Sequence, residues 1–357
     1  MSINRILFGI FLLMSLAGCF REHVSQEWYS RGTFPETITN LGDVNSVDDD
    51  YNSALPFFGE VMPLVFSSKR GGRSDFNFVW EWLNYSFDRR TGAFTLDNKP
   101  YGWLDVVEEL TPVSWAAQKA NSTANELGPL IKSYDHDLIN DGFNRHYGEY
   151  LMLFASDREG NLDVYLMHNY RDNSTNTSAI PGSSTALAGK SFADPVPLPF
   201  LNSSADDAYP SFSNNYSAIY FTSNRGGSFD IFRADLPAIA PAELQARLPG
   251  LVDVPVERVA GLSSTADDKC PYIMGDMLVF TSNRPGGYGG FDLYYSKWNG
   301  NNWSSPVNFG PAINTSFDEY RPILAGTTDF SNQLMIFSSN RPGGKGGFDL
   351  YLVGVPK

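Results

Sequence analysis

The sequence predicts an all-β protein that forms a single β-propeller of four-stranded blades. Three observations lead to this prediction. A strand–turn–strand motif recurs along the chain, an acidic pair precedes most of its copies, and the composition favours short strands joined by tight turns. Aromatic residues make up 14% of the 357 residues, with 32 Gly and 22 Pro. Such a mixture is typical of strands and turns rather than of long helices.

The recurring motif is an apolar run with Ser, a variable residue and Arg, then a Gly-rich turn, then Asp with a second apolar run. Two apolar runs around a Gly- and Pro-rich turn are typical of a β-hairpin. Because a site needed once is not built five times, we predict that the Arg and Asp pair across each hairpin and satisfy turn amides. The five copies occupy residues 64–78, 153–166, 219–232, 279–294 and 336–351. The pairs are Arg70 and Asp75, Arg158 and Asp163, Arg225 and Asp230, Arg284 and Asp292, and Arg341 and Asp349.

An acidic pair leads into a short strand ahead of most hairpins. Together with a further short strand upstream, this gives four strands per repeat, which is the content of a propeller blade. Carboxylates at a strand entry accept backbone N–H bonds, so we predict a structural role and no cofactor or metal site. Calcium is the alternative, because it takes clustered carboxylates. The copies are Asp48-Asp49-Asp50, Asp206-Asp207, Asp267-Asp268 and Asp318-Glu319, with Asn140-Asp141 as a degenerate second copy.

The spacing of the repeated Arg residues predicts five blades. The interval from Arg284 to Arg341 is close to one uninterrupted repeat, and the longer interval from Arg70 to Arg158 leaves an excess too short for another blade. Six blades is the alternative, with the sixth hidden in residues 82–133. The last copy lacks a fourth strand, and residues 36–42 resemble the fourth strand that precedes the fifth hairpin. The N-terminal strand is therefore predicted to complete the last blade and to leave no open edge.

These repeats resemble the WD-repeat-like blades of TolB-type β-propellers, over residues 36–357. The resemblance implies the propeller fold and partners such as peptidoglycan-associated or outer-membrane proteins. The chain departs from TolB because it has a predicted lipid anchor and no preceding α/β domain. Small insertions are expected near residues 82–133, 169–192 and 234–255, with short helices in the first and third.

Residues 1–18 predict a lipoprotein signal peptide. Arg5 precedes an apolar run, from Ile6 to Leu16, that is too short to span a bilayer. The run ends in Leu-Ala-Gly-Cys19, which resembles the bacterial lipobox, where cleavage before the Cys leaves a lipid-modified N-terminus. An ordinary signal peptide is the alternative. Phe20 after the Cys favours the outer membrane, with the protein facing the periplasm or the cell surface, and residues 19–35 would form a tether.

The net charge of −14 makes nucleic acid an unfavourable partner. Neither a GxSxG elbow, an HExxH, a CxxC nor a phosphate-binding loop occurs in the sequence. We therefore predict that the chain is not an enzyme but a scaffold that binds a cell-envelope protein. The alternative is a carbohydrate-binding or glycoside-cleaving propeller, which for cleavage needs carboxylates facing one pocket.

Aromatic residues in the first insertion form the candidate binding surface. Exposed aromatic side chains stack on sugars or act as hot spots for protein partners. Packing of the insertion onto the first blade is the alternative. The candidates are Trp82, Tyr85, Tyr101, Trp103 and Trp115.

We expect a Cys19→Ala variant to lose its lipid, because lipid modification requires the lipobox Cys. Metabolic labelling with a palmitate analogue measures this: the wild-type chain should carry label and the variant none. Cys270→Ala, which changes the only other Cys of the chain, is the matched control and should keep the full label. Label that persists on the Cys19→Ala chain would contradict the lipoprotein prediction.

Overall fold

The computed structural model describes residues 31–56, 58, 61–96, 112–135, 149–169 and 192–357. Within these ranges, twenty strands form five antiparallel sheets of four strands each. The chain begins its sheets with β1 (Thr39–Asn40). The first blade contains β2 (Asp50–Ala54), β3 (Val61–Ser68), β4 (Asn77–Phe87) and β5 (Phe94–Leu96). The second contains β6 (Glu126–Asp135), β7 (Glu149–Ser156), β8 (Asp163–His168) and β9 (Val196–Pro197).

The remaining blades follow the same order. The third blade contains β10 (Asp207–Phe212), β11 (Ala218–Ser223), β12 (Asp230–Asp235) and β13 (Val256–Arg258). The fourth contains β14 (Asp268–Met274), β15 (Met277–Ser282), β16 (Asp292–Lys297) and β17 (Val307–Asn308). The fifth contains β18 (Glu319–Ala325), β19 (Gln333–Ser339) and β20 (Asp349–Val355), and β1 completes it.

The prediction of five blades closed by an N-terminal strand is confirmed. Thr39 pairs with Leu352 and Asn40 with Tyr351, so β1 forms the fourth strand of the fifth blade. The Asp50 N–H donates to the Phe348 carbonyl at 2.8 Å, which joins the first blade to the fifth. This arrangement closes the ring between the two ends of the described chain.

Two short α-helices occur in the described residues. α1 (Pro112–Ala120) lies in the first predicted insertion. α2 (Leu244–Arg247) lies in the third, between two 3₁₀ turns at Pro241–Glu243 and Leu248–Gly250. The middle insertion falls almost wholly outside the described residues. In the part of the chain that the structure covers, a helix with the length and apolar character to cross a bilayer is not found.

The first strand of each blade, which contacts the first strands of the neighbouring blades, is its inner strand; these are β2, β6, β10, β14 and β18. Each repeated Arg binds the acid that begins the inner strand of its own blade. Arg341 Nη2 lies 2.9 Å from Glu319 Oε1, and the carboxylates of all five such acids are fully buried. This differs from the predicted pairing of Arg with the Asp of its own hairpin. The reason is register: Glu319 lies opposite Ser339, and Arg341 follows two residues later. The pairs are Arg70–Asp50, Arg158–Glu126, Arg225–Asp207, Arg284–Asp268 and Arg341–Glu319.

In the fourth and fifth blades, the Asp of the hairpin holds the turn instead. Asp292 accepts the N–H groups of Tyr288 and Gly289, at 2.6 and 3.2 Å. Asp349 makes the equivalent pair of bonds in the fifth blade. The first blade departs from the pattern. Asn77 occupies the position opposite Ser68, and Asp75 lies two residues earlier in the turn.

The first acid of each pair accepts a backbone hydrogen bond from the preceding blade and so joins the two blades. Asp206 Oδ1 accepts the Leu162 N–H at 3.0 Å, and Asp318 Oδ1 accepts the Phe291 N–H at 2.8 Å. The two acids of a pair therefore have different roles, one between blades and one within the blade. These two roles account for the repetition of the pair.

The second copy of the acidic pair is Asn125-Glu126, not the predicted Asn140-Asp141, which lies outside the described residues. Glu126 binds Arg158 at 3.1 Å, and Asn125 Oδ1 accepts the Phe76 N–H at 3.0 Å. Asn replaces the first acid here because an amide oxygen accepts a backbone N–H as a carboxylate does. Because Asn125 carries no charge, the search for acidic pairs did not identify this copy in the sequence.

The segment before β1 adds a second contact to the closure. Phe34 is fully buried and stacks on Phe330, with ring centroids 4.0 Å apart and planes 6° from parallel. The Asn332 side chain accepts the Phe34 N–H at 2.9 Å and donates to its carbonyl at 3.0 Å. The closure therefore depends on apolar packing as well as on the short β1 pairing.

We expect Arg341→Met to lower the free energy of unfolding by about 3–5 kcal/mol, because it leaves Glu319 charged, buried and unpaired. Burial already raises the pKa of Glu319, so the deficit should shrink as the pH falls through that pKa and the carboxyl is protonated. Urea unfolding at several pH values measures both effects. Arg247→Met, which removes an exposed pair with Glu243, is the control and should change stability by less than about 0.5 kcal/mol. An equal loss in both variants would contradict this account.

We expect Phe34→Ala to destabilise the fold by about 3–5 kcal/mol, because it empties a fully buried ring position at the closure. Chemical unfolding followed by tryptophan fluorescence measures this. Phe317→Ala, at a ring that is 42% exposed, is the matched control and should have a much smaller effect. If Phe34→Ala were as stable as Phe317→Ala, the segment before β1 would not contribute to closure.

Candidate functional site

A groove lies between the third and fourth blades, at the strand ends opposite to the buried Arg–carboxylate pairs. It consists of two adjoining cavities of about 280 and 530 Å³, which share Asn215 and Ser217. The volumes lie near the lower half of the range for small-molecule sites, about 300–1,000 Å³. The smaller cavity has aromatic and polar walls, and the larger extends along residues 236–240.

A tryptophan hairpin forms one wall of the smaller cavity. Trp298 and Trp303 pair across the turn that follows β16, with ring centroids 5.2 Å apart and planes at 63°. The Asn299 side chain accepts the N–H groups of Asn301 and Asn302, at 3.0 and 2.9 Å. Gly300 has φ +100°, a conformation that favours glycine. The turn therefore holds both indoles in fixed positions, and Trp298 is 37% exposed.

Tyr220 on β11 fixes the second indole from the neighbouring blade. The Trp303 Nε1–H donates to Tyr220 Oη at 3.1 Å, and the rings meet edge to face at 6.1 Å. Tyr220 is itself buried, so it anchors the indole rather than presenting a free ring. One aromatic face is therefore held in place while Trp298 stays accessible.

Arg233 supplies a charged donor to the same cavity. It lies opposite Tyr220 on β12, with its guanidinium 6.0 Å from the Tyr220 ring. Its Nη2 binds Asp235 at 2.6 Å, which balances the charge. Its Nε is buried and has no hydrogen-bond partner in the protein. Buried donors are nearly always satisfied, so this N–H stands out as a donor that the protein itself does not use.

The turn between β10 and β11 forms the polar rim. Asn214 Oδ1 accepts the Gly275 N–H at 3.1 Å, and its amide group donates to the Gly275 carbonyl. These two bonds tie the turn to the fourth blade. Asn215 accepts the Ser217 N–H and hydroxyl, at 3.2 and 2.8 Å. The rim therefore offers amide and hydroxyl groups at fixed positions beside the indoles.

This arrangement is suited to a ligand that has an apolar face and a polar edge. Flat aromatic surfaces contact the face, and amide, hydroxyl and guanidinium groups bond to the edge. Glycoside hydrolysis needs two carboxyl groups at a defined separation. The described residues that line the groove include no carboxyl group.

The structure does not bring the predicted aromatic surface together as one exposed face. Tyr85 is only 8% exposed and stacks on Phe58 and Phe94, both at 5.2 Å. Trp82 meets Trp80 edge to face on β4, and Trp115 on α1 packs against the core below. Tyr101 and Trp103 lie outside the described residues.

The groove residues were missed in the sequence because they lie in different blades. Trp303 and Tyr220 are 83 residues apart in the chain. One local signal was available: two Trp residues flank an Asn-Gly turn at 298–303, outside the repeated motif. Tyr220 and Arg233 carry no such signal, because they occupy ordinary strand positions.

No protein-family model matches the chain, and no curated protein is similar to it in sequence. Several solved structures are similar in fold. A thermostable family-43 glycoside hydrolase is 10% identical with a TM-score of 0.47, over 88% of this chain and 92% of that one. The alpha-L-arabinofuranosidase from Podospora anserina, in complex with cellotriose, is 10% identical with a TM-score of 0.43, over 91% and 96%. A putative TolB from Agrobacterium tumefaciens is 11% identical with a TM-score of 0.39, over 91% and 100%.

These similarities concern the fold alone. The predicted TolB-like propeller is confirmed as a five-bladed propeller with TolB structures among its structural neighbours. The prediction that the chain is not an enzyme is corrected, because the solved structures of similar fold include glycoside hydrolases as well as TolB, so the propeller fold does not exclude an enzyme. That prediction relied on missing motifs of other enzyme classes, whereas glycoside hydrolysis depends on carboxyl groups and has no such motif.

Proposed function

We propose that this propeller binds carbohydrate in the groove between its third and fourth blades. The observation that carries the proposal is the exposed Trp298 beside Trp303, which Tyr220 holds through the 3.1 Å hydrogen bond. A pyranose ring has a face of C–H groups and an edge of hydroxyl groups. An exposed indole with polar groups around it is complementary to both.

The charge of the site favours a neutral glycan. Asp235 balances Arg233, so the cavity presents hydrogen-bond donors without a net positive charge. The chain as a whole carries −14, which repels polyanions at a distance. We therefore assign an uncharged glycan whose sugars have mainly equatorial hydroxyl groups, because such rings present the widest apolar face.

The second cavity favours an oligosaccharide over a single sugar. It continues from Asn215 past Pro237 and Ile239, with an apolar wall. A single ring occupies the smaller cavity, and the next sugars of a chain extend along this wall. Since many sugar contacts are weak individually, a groove with several subsites gains affinity with chain length.

The predicted lipid anchor would place this glycan binding at the outer membrane. With Cys19 acylated at the outer membrane, the propeller would hold a glycan close to the cell envelope. This location is part of our proposal and depends on the lipidation test above. Glycan binding is tested on the purified protein and does not depend on it.

We expect Trp298→Ala to weaken glycan binding at least tenfold, because it removes the accessible stacking face, and tenfold corresponds to about 1.4 kcal/mol. Affinity electrophoresis against a soluble β-glucan, a xylan and a mannan identifies the ligand, and calorimetry with its hexasaccharide gives the Kd. Tyr288→Ala is the matched control, because Tyr288 is 48% exposed on the opposite end of the fourth blade.

The proposal has two distinct ways to fail. If none of the three polysaccharides retards the wild-type protein, the groove does not bind neutral glycans. If Trp298→Ala and Tyr288→Ala bind equally well, the glycan site lies elsewhere. A reducing-sugar assay on the same panel reports any cleavage separately from binding.

A further inference from the structure

One buried side chain, where the inner strands of the five blades meet, interacts with each of the other blades. Arg321, on β18 of the fifth blade, donates from Nη2 to the Pro129 carbonyl of the second blade at 3.0 Å. Its guanidinium lies 5.7 Å from the Tyr209 ring of the third blade. It is also close enough to Tyr51 and Cys270, in the first and fourth blades, to interact with them electrostatically. Arg321 is fully buried.

A bulge in each inner strand creates this meeting point. The third residue of every inner strand has a positive φ, and the strand register breaks there in all five sheets. At the second blade this residue is Gly128, where a Cβ would clash with the Tyr209 ring. The residues at these positions are Asn52, Gly128, Tyr209, Cys270 and Arg321.

The charge of Arg321 has no counter-ion in the described protein. Burial raises the pKa of the Cys270 thiol to about 12 and raises the pKa values of Tyr51, Tyr209 and Tyr320, so these groups are neutral. The five buried acids of the inner strands each bind their own Arg. A buried cation without a partner is strongly destabilising.

Two donors of this charged group are also unpartnered. Arg321 Nε and Nη1 are buried and have no hydrogen-bond partner in the protein. Buried groups of this kind in folded proteins are normally satisfied by water or by an ion.

We propose that the propeller axis binds a small inorganic anion through the Nε–H and Nη1–H groups of Arg321. The anion supplies the missing negative charge and accepts the free donors. Its size is limited because aromatic rings enclose the site. Tyr209 packs against Gly128, and Tyr51 lies 5.2 Å from Tyr320 and 5.0 Å from Phe348. A halide-sized ion is therefore the class of ligand, and this site is separate from the glycan groove.

Thermal unfolding in different salts tests the proposal. The melting temperature of the purified protein is measured in sodium gluconate that is replaced stepwise by sodium chloride at constant ionic strength. Because the anion binds the folded state, the melting temperature should rise with the logarithm of chloride concentration. Arg321→Met should lose this dependence. Arg247→Met, at an exposed Arg, should retain it and corrects for general salt effects.

A second measurement covers the case in which Arg321→Met does not fold. Crystals of the wild-type protein are grown in bromide, and anomalous scattering locates the ion. A bromide peak within hydrogen-bond distance of Arg321 supports the proposal. A wild-type melting temperature that is the same in chloride and gluconate, or a bromide map without a peak at Arg321, overturns it and assigns the site to water.

Discussion

A fully buried carboxylate at the start of each inner strand is the interaction on which this propeller depends. Each one must be compensated completely, because an unpaired charge in the interior destabilises the fold. Its Arg partner also donates to a carbonyl of the preceding loop, as Arg284 does to Leu262 at 2.6 Å. The guanidinium lies over an aromatic ring of the second strand, 5.1 Å from Phe280 in the same blade. One ion pair thereby fixes the inner strand, the turn and the core of its blade.

The side chains cannot repeat in the same way at the axis of the propeller, where the inner strands meet. Five inner strands converge there, so five copies of one large side chain would not fit in the shared space. The chain uses Gly128 to make room for the ring of Tyr209, and it places one long side chain, Arg321, where it reaches the other four blades. The groove arises in a similar way. Trp298 and Trp303 depart from the repeat at the turn after β16, where the blade framework does not restrict sequence.

The sequence predicted the blades, their number and the closing strand, because each depends on local hairpin patterns that recur. It did not predict which acid Arg341 binds. Spacing along the chain relates Arg341 to Asp349 across one turn, whereas the register of β18 and β19 brings Glu319 to the guanidinium. The groove was not predicted, because its residues come from two blades. Only the two Trp residues at 298–303 form a pattern that is visible in the sequence. The bulges of the inner strands could not be predicted, because their residues share a backbone conformation but no side-chain type.

The closing strand also determines when this protein can finish folding. β1 is made before every other described strand, and its partner β20 is made after them. Until β20 emerges, β1 has no partner and the fifth blade has exposed edges, which are templates for wrong pairing. Contacts between such distant segments form slowly. Ring closure therefore acts as a check on complete synthesis: a chain cut short before β20 keeps an open edge that chaperones and proteases can recognise.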